Sequence, residues 1–195
     1  MCGFAGASWT ADGRPLTASD LESMIAVIAH RGPDDHGTWF SNGSPAAALG
    51  HRRLSIIDLG GGHQPLANED GSIQVVFNGE IYNYRELRSD LESRGHRFGS
   101  ESDTETIVHL YEEHGVDCLD HLRGMFALAL WDDNTRQLLL ARDRLGQKPL
   151  VYREEPGRVL FASELKALLQ LPGAPRDVDP VAVDQYLAYQ YVPHP

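Results

Sequence analysis

The chain has 195 residues, of which 42% are hydrophobic and 23% are charged, and this balance indicates a globular domain large enough to bury a core. Its formal net charge of −11 argues against a nucleic-acid-binding surface. The sequence has no apolar run of membrane-helix length and no signal-peptide pattern, so we expect a cytoplasmic protein with neither nucleic-acid nor membrane partners.

The N-terminus places a cysteine directly after the first methionine, in Met1-Cys2-Gly3-Phe4. Removal of Met1 would leave Cys2 with a thiol and a free α-amine on one residue. A thiolate is a nucleophile, and an α-amine with a pKa of about 8 can accept the thiol proton. Taken alone, however, a cysteine at this position is more simply a matter of chance. We expect the only other cysteine, Cys118, to be buried filler and not a disulfide partner.

Four short apolar segments in the first half of the chain predict strands: residues 2–9, 37–40, 46–51 and 73–77. Between the first two strands, Ser19 and Glu22 have the spacing of a capping box and predict the start of a helix. Apolar residues then recur with helical spacing on one face. These residues are Leu21, Met24, Ile25 and Ile28.

The second half predicts helices over 84–94, 103–115 and 164–171, and two hairpins, 125–131 with 137–142 and 150–153 with 159–162. Helices combined with hairpins predict an α+β fold with largely antiparallel sheets. A proline- and glycine-rich cluster at 172–175 divides the chain into a domain over 1–171 and a segment over 172–195. We expect that segment to hold a linker and a helix, begun by Asp179-Pro180, that leads towards a further domain.

The pair Asn78-Gly79 follows the predicted strand 73–77 and allows two interpretations. An amide side chain and a glycine N–H can converge on one oxygen and form an oxyanion hole. Asn-Gly is also a favoured turn pair, and from these two residues alone the turn is the stronger interpretation.

Charged residues at element ends are candidates for binding a small ligand. Arg52 and Arg53 are adjacent on a predicted strand, so they should face opposite sides and at most one can enter a given site. An arginine there could bind a carboxylate, and Asp103 could bind an ammonium group, which together would suit an amino acid. The simpler roles are a surface charge pair for the arginines and a helix cap for Asp103.

The nine histidines show no metal-binding spacing, and we expect no metal site. The segment Arg142-Asp143-Arg144-Leu145-Gly146 is interpreted as a turn held by ion pairs. A metal or redox protein built on Cys2, Cys118 and the histidines is therefore the weaker alternative.

Seven motifs, in order, resemble one family closely, the class II glutamine amidotransferase domain of glutamine-hydrolysing asparagine synthetases. The motifs are Met1–Phe4, His30–Asp34, Arg53–Asp58, Asn78–Asn83, Ser102–Glu105, Arg123–Ala127 and Arg142–Gly146. The resemblance covers Met1 to about Leu169, and residues 186–195 resemble the segment that leads into the synthetase domain. Other amidotransferases of the class, such as glucosamine-phosphate synthase and phosphoribosyl-pyrophosphate amidotransferase, resemble the chain less over residues 53–58 and 80–83.

The resemblance implies the N-terminal-nucleophile hydrolase fold, in which two mainly antiparallel sheets stack between helical layers. It also implies that L-glutamine is hydrolysed to L-glutamate and ammonia, with Cys2 as the nucleophile and Asn78 and Gly79 as the oxyanion hole. The remaining implied roles concern substrate binding. These residues are Arg53 for the α-carboxylate, Asp103 for the α-amine with Glu80 nearby, and the backbone of Leu54, Ile56 and Ile57.

In such relatives, ammonia passes to a C-terminal domain that uses ATP and Mg²⁺ to convert aspartate to asparagine. The motif of the pyrophosphate loop of that domain, Ser-Gly-Gly-Leu-Asp-Ser, is absent from the sequence, so we expect no cofactor in this chain and a synthetase domain or subunit as its partner. The sequence leaves open a fragment or a stand-alone subunit, another acid acceptor, a degenerate scaffold without activity, and pairing of two copies.

Overall fold

A computed structural model describes residues 2–55, 58 and 60–193 of the chain. The predicted binding positions Ile56 and Ile57 lie outside the described residues, as does Met1. Nine strands and six α-helices follow one another in these ranges. The strands are β1 Gly3–Trp9, β2 Asp35–Phe40, β3 Ala46–Arg53, β4 Leu66–Ala67, β5 Ile73–Ile81, β6 Gly124–Asp132, β7 Gln137–Arg142, β8 Val151–Glu155 and β9 Arg158–Ala162. The helices are α1 Ala18–Ala26, α2 Tyr84–Arg94, α3 Asp103–His114, α4 Cys118–His121, α5 Leu165–Leu168 and α6 Pro180–Tyr189.

The strands form two antiparallel sheets. The first sheet has the order β2-β3-β1-β9-β8, and the second has the order β4-β5-β6-β7. The N-terminal strand β1 is therefore the central strand of its sheet and pairs with both β3 and β9. This position fixes the residue that precedes β1, Cys2, close to the end of β3, because Gly3 pairs with Arg52.

Three apolar clusters hold the molecule in four layers, with the two sheets in the middle. Phe4, Leu49, Val76, Trp131 and Phe161 fill the space between the sheets. A second cluster packs α1 and α5 on the outer face of the first sheet, and a third packs α2, α3 and α4 on the outer face of the second. The predicted αββα sandwich of the N-terminal-nucleophile hydrolase fold is confirmed.

The predicted helices are present, but two of their caps were assigned to the wrong residue. Thr17, not Ser19, begins α1, because its side chain accepts the Asp20 N–H at 3.1 Å while Asp20 accepts the Thr17 N–H at 3.2 Å. Ser102, not Asp103, caps α3 by accepting the Thr104 N–H. Asp103 is thereby the first helical residue, and its carboxylate is available for other contacts.

The turn interpretation of Asn78-Gly79 is wrong, because β5 continues through both residues to Ile81. Gly79 pairs with Phe126 on β6, and a Cβ at this position would lie 2.2 Å from the carbonyl oxygen of Met125. Glycine is therefore needed here for the close approach of two strands and not for a turn.

The loop after β7 is held by one carboxylate and not by the predicted ion pairs. Asp143 accepts the backbone N–H groups of Leu145, Gln147 and Lys148 at 3.0–3.1 Å, and that of Phe126 at 3.2 Å. Several N–H bonds to one carboxylate stabilise its charged form. The loop is consequently fixed to β6, and it presents Lys148 to the interior, where that residue is 5% exposed.

The last helix, α6, begins as predicted at Asp179, whose side chain accepts the N–H of Val181 at 2.9 Å. All of its residues are described, and none of them is buried. Val181, Leu187 and Tyr189 are each at least 60% exposed. Among residues 2–55, 58 and 60–193, no helix combines the length and apolarity that crossing a membrane requires.

Candidate active site

The site forms where the N-terminal end of β1 meets the end of β3 in the first sheet and residues of β5 in the second. Six of the predicted site residues line a single cavity of about 170 Å³. They are Cys2, Arg53, Leu54, Gly79, Glu80 and Asp103. These residues lie in four separate sequence motifs, and the fold brings them together.

The thiol of Cys2 is positioned by one backbone segment. The Leu54 N–H donates to Cys2 Sγ at 3.3 Å, and Sγ lies 3.6 Å from the Leu54 carbonyl oxygen. The N–H can donate to a thiolate, and the carbonyl oxygen can accept the proton of a neutral thiol. Leu54 thus holds the sulfur in both protonation states.

The main chain of Cys2 is held by Arg31, which follows the first helix. Arg31 Nε donates to the Cys2 carbonyl oxygen at 2.9 Å, and Nη1 donates to Glu164 at 2.9 Å. Burial would raise the pKa of Glu164, but hydrogen bonds from Arg31, Lys166 and His30 outweigh it and lower the pKa to about 2. Glu164 is therefore a charged anchor for Arg31 throughout the neutral range.

Asn78 lies behind the cavity and is 1% exposed. We assign its amide with the nitrogen donating to the Cys2 carbonyl oxygen at 3.0 Å and the oxygen accepting from Arg31 Nη2 at 3.3 Å, because the reverse orientation would oppose like groups. An amide nitrogen has two protons, so this contact uses only one of them. Asn78 contacts the main chain of Cys2 directly, which the turn interpretation did not anticipate.

Arg53 is the arginine of the adjacent pair that faces the cavity. It is 6% exposed, and its guanidinium donates to the Asp58 carbonyl oxygen. Gly62 packs against the same group, where a Cβ would come within 2.4 Å of Nη2. Arg52 points the other way and donates from Nε to the Ile25 carbonyl oxygen at 3.1 Å. The predicted division of the two arginines between opposite faces is confirmed.

Two acidic residues line the same cavity. Asp103 is 5% exposed and accepts the Ile81 N–H at 2.9 Å, whereas Glu80 is exposed. Burial is the main reason that the pKa of Asp103 lies above its ordinary value; the Ile81 N–H opposes the shift, and the negative charge of Glu80 adds to it. A cationic ligand group between these carboxylates would relieve both the desolvation and the repulsion.

Several residues of the cavity were not predicted. Gln64 spans it from behind, accepting the Phe77 N–H at 2.7 Å and donating to Thr104 Oγ1 at 3.3 Å. Lys148 contributes a second cation to the lining. No local pattern marks Gln64, since it lies in a loop whose course depends on distant strands. The motif 142–146, extended by two residues, was the one available signal for Lys148.

His51 and Cys118 are not among the residues that line the cavity. His51 is fully buried, its Nε2 lies 3.0 Å from the Phe77 carbonyl oxygen, and burial lowers its pKa to about 4. It is therefore neutral and serves the packing between the sheets. Cys118 is buried as expected, and burial raises the pKa of its thiol to about 12, which makes it unreactive.

The sequence matches the glutamine amidotransferase domain family over residues 1–195. The chain belongs to this family. Among its relatives, asparagine synthetase [glutamine-hydrolyzing] 2 of Bacillus subtilis is 47% identical over 90% of this amidotransferase chain and 23% of the relative. The amidase chry2 of Gibberella zeae is 45% identical over 77% of the chain and 22% of the relative. The chain thus spans about a quarter of the length of these two relatives.

Solved structures support the fold assignment for the amidotransferase domain. Glutamine phosphoribosylpyrophosphate amidotransferase from B. subtilis superposes with a TM-score of 0.70, covering 86% of this chain and 43% of that chain. At 22% identity, this likeness concerns the fold alone.

Proposed function

We propose that this amidotransferase domain hydrolyses L-glutamine to L-glutamate and ammonia, with Cys2 as the nucleophile. The observation that carries the proposal is the Cys2 thiol held at 3.3 Å from the Leu54 N–H, in a cavity that also presents a buried guanidinium and a buried carboxylate. This set of groups matches the amide, the carboxylate and the ammonium of an α-amino acid with a side-chain amide.

Substrate binding would use the charged lining of the cavity. Arg53 binds the α-carboxylate of glutamine, because a guanidinium offers paired donors to a carboxylate. Asp103 and Glu80 bind the α-ammonium, and its positive charge offsets their mutual repulsion. Leu54 lines the same pocket, and the further backbone contacts proposed for Ile56 and Ile57 lie outside the described residues. With its two charged groups bound in this way, glutamine presents its side-chain amide to the Cys2 sulfur.

The reaction begins when the Cys2 thiol gives its proton to its own α-amine, which is free after removal of Met1. The thiolate attacks the amide carbon of glutamine and forms a carbon–sulfur bond. The carbon–nitrogen bond of the glutamine amide then breaks. The protonated α-amine of Cys2 gives its proton to the leaving nitrogen, which departs as ammonia. A water molecule, deprotonated by the same amine, cleaves the thioester and gives glutamate.

Attack on the amide carbon places a negative charge on the amide oxygen. This oxyanion needs two hydrogen-bond donors. We assign this role to the Gly79 N–H and to the Asn78 amide. The assignment is supported by the position of Asn78 Nδ2, 3.0 Å from the carbonyl oxygen of the nucleophilic residue, with a second proton to donate. Preorganised donors act chiefly on the developing charge, so they raise turnover more than they raise affinity for glutamine.

The test is a glutaminase assay of the purified chain and its two single-cysteine variants. Cys2→Ala should abolish glutamate release, whereas Cys118→Ala should retain it, because Cys118 is buried elsewhere with an unreactive thiol. Mass spectrometry should show Met1 removed in the active protein, since a retained Met1 places the free amine on the wrong residue. Near wild-type activity of Cys2→Ala would overturn the proposal.

We further propose that the ammonia serves the ATP-dependent amidation of aspartate to asparagine in a synthetase domain or subunit, where ATP and Mg²⁺ would act. The proposal is supported by a relative named asparagine synthetase and by the exposed apolar side chains of α6, which offer a surface to a partner. A relative named as an amidase leaves another acid as the alternative acceptor. Asparagine formation from glutamine by the full-length protein, with aspartate omitted as control, would decide.

We place this activity in the cytoplasm, and pairing of two copies stays an expectation that gel filtration would test.

A further inference from the structure

Two histidines and two glutamates converge on the far side of α3 from its active-site end. Glu69 lies in the loop after β4, His96 follows α2, and His109 and Glu112 lie three residues apart on α3. One potential ligand atom from each residue falls within 4.8 Å of all the others. We refer to these four residues as the His–Glu cluster. The nine histidines were expected to show no metal arrangement, and the fold brings two of them together.

The distances within the His–Glu cluster match a coordination shell. Nδ1 of His109 lies 2.9 Å from an oxygen of Glu112 and 3.4 Å from one of Glu69. Nδ1 of His96 lies 3.5 Å and 3.7 Å from oxygens of the same two glutamates. In a tetrahedral zinc site with bonds of about 2.0–2.1 Å, neighbouring ligand atoms are about 3.3 Å apart. A small cation would fit among them with little movement.

Each ring places its other nitrogen near a further carboxylate. His96 Nε2 lies 3.1 Å from Glu113, and His109 Nε2 faces Glu105 at 3.7 Å. Metal-binding histidines commonly donate their outer N–H to such a carboxylate, which fixes the tautomer with the lone pair towards the metal. With this tautomer in both rings, two Nδ1 lone pairs and two carboxylates face one another, and a cation among them would offset their mutual repulsion.

The glutamates are oriented as well. The Arg97 N–H donates to Glu69 at 3.0 Å, and the amide of Asn68 donates to Glu112 at 2.8 Å. The side chain of His109 is fully buried, whereas that of Glu69 is 40% exposed, so the cluster is fixed on one side and open to solvent on the other. An ion could therefore enter without unfolding of the helical layer.

We propose that the His–Glu cluster binds one divalent transition-metal ion, of which Zn²⁺ is the best match. Two imidazoles and two carboxylates suit zinc in both ligand type and number, and they disfavour Mg²⁺ and Ca²⁺, which prefer oxygen ligands alone. Two carboxylates balance the charge of a divalent ion. Four protein ligands make the site structural, a clamp between α2, α3 and the loop after β4.

The test is a Zn²⁺ titration of the chain after EDTA treatment and dialysis. Calorimetry measures the binding, and metal analysis after gel filtration measures the zinc that stays bound. All proteins carry Cys2→Ala, because an N-terminal thiol and amine can themselves bind zinc. The variants are His96→Ala and Glu112→Gln, which avoid truncating the buried His109. The control is His121→Ala, an exposed histidine that stacks on His114 at 4.2 Å, away from the cluster.

The parent protein, which carries Cys2→Ala alone, and the His121→Ala protein should each bind one equivalent of Zn²⁺. Both should melt at a higher temperature with zinc than with EDTA. Loss of an outer-shell partner weakens metal binding by about 10–100-fold, so loss of a direct ligand should weaken it by more than 100-fold and remove the thermal shift. A tetrahedral Co²⁺ spectrum in the parent, absent from both variants, would give independent support. The proposal is overturned if the parent binds less than one equivalent, or if either variant binds as tightly as the control.

Discussion

Replacement of Asp103 by asparagine should weaken catalysis and stabilise the fold at the same time. Asparagine keeps an oxygen that can accept the Ile81 N–H, now 2.9 Å from the carboxylate, so the geometry of the α3 terminus should survive. What is lost is the negative charge assigned to the glutamine α-ammonium. The two effects have opposite signs because the charge is unfavourable in the empty site and favourable in the occupied one.

The size of the catalytic effect follows from burial. Removal of one partner of a buried charge pair costs roughly 2–5 kcal/mol, which corresponds to about 30- to 4,000-fold. Asp103 is 5% exposed, but Glu80 lines the same cavity and keeps one negative charge near the ammonium. We therefore expect the lower part of this range, a fall in kcat/KM of about 30- to 300-fold that appears mainly as a higher KM.

The stability effect depends on pH. The pKa of Asp103 is raised in the folded protein, so the folded protein holds this proton more tightly than the unfolded protein does. At neutral pH the carboxylate is ionised in the unfolded protein at no such cost, and its charge therefore destabilises the fold. Below its ordinary value of 3.8, both folded and unfolded forms are protonated and the effect vanishes. Asp103→Asn should thus have a higher Tm than the wild type at pH 7, and the difference should shrink as the pH falls towards 3.8.

The assays are steady-state glutamate release and thermal melting without glutamine. Asp132→Asn is the matched control, because Asp132 is a similarly buried carboxylate, 6% exposed, in the β6–β7 turn outside the cavity. It should lower stability and leave the KM for glutamine unchanged. An unchanged KM in Asp103→Asn, or a Tm below that of the wild type at pH 7, would refute the assignment.

Four further variants probe the rest of the site. Arg53→Ala should raise the KM for glutamine by roughly 30-fold or more, whereas Arg52→Ala should change stability alone. An unchanged KM in Arg53→Ala would show that another residue binds the α-carboxylate. Asn78→Ala should lower kcat by about 10²–10³ with a smaller change in KM, and an unchanged kcat would exclude it from the oxyanion hole. Glu164→Gln should destabilise the protein at neutral pH by loosening Arg31. Since the pKa of Glu164 is lowered to about 2, denaturation curves should show this difference fading as the pH falls from about 4.5 to 2, and a gap that persisted at pH 2 would contradict the ion-pair account.

Local patterns were sufficient for the elements that bury a regular apolar face. The spacing of Leu21, Met24, Ile25 and Ile28 predicted α1, and all four side chains are fully buried. Helix α2 was predicted with its observed bounds, 84–94. In each case the hydrophobic period is set by the geometry of the element itself, so a short window of sequence contains the information.

Predictions from local chemistry alone were wrong where a distant strand decides the conformation. Asn78-Gly79 has the composition of a turn, yet pairing with β6 extends β5 through it, and the glycine meets the backbone of Met125. The cap of α1 was misplaced because Thr17-Asp20 and Ser19-Glu22 have the same spacing, and only the packed helix chooses between them. Gln64 and the His–Glu cluster had no signal, because their members come together only in the folded chain.

The place of β1 in its sheet has a consequence for biosynthesis. A ribosome makes Cys2 and β1 first, but the pairing of β1 is complete only when β9, residues Arg158–Ala162, has emerged. Ser163 then accepts the Phe4 N–H at 3.0 Å, two residues from the thiol. The contacts that hold β1 on its β9 side are thus among the most distant in the chain, and such contacts form late. A nascent chain shorter than this has β1 paired on one side only, with β3, so we expect it not to hydrolyse glutamine.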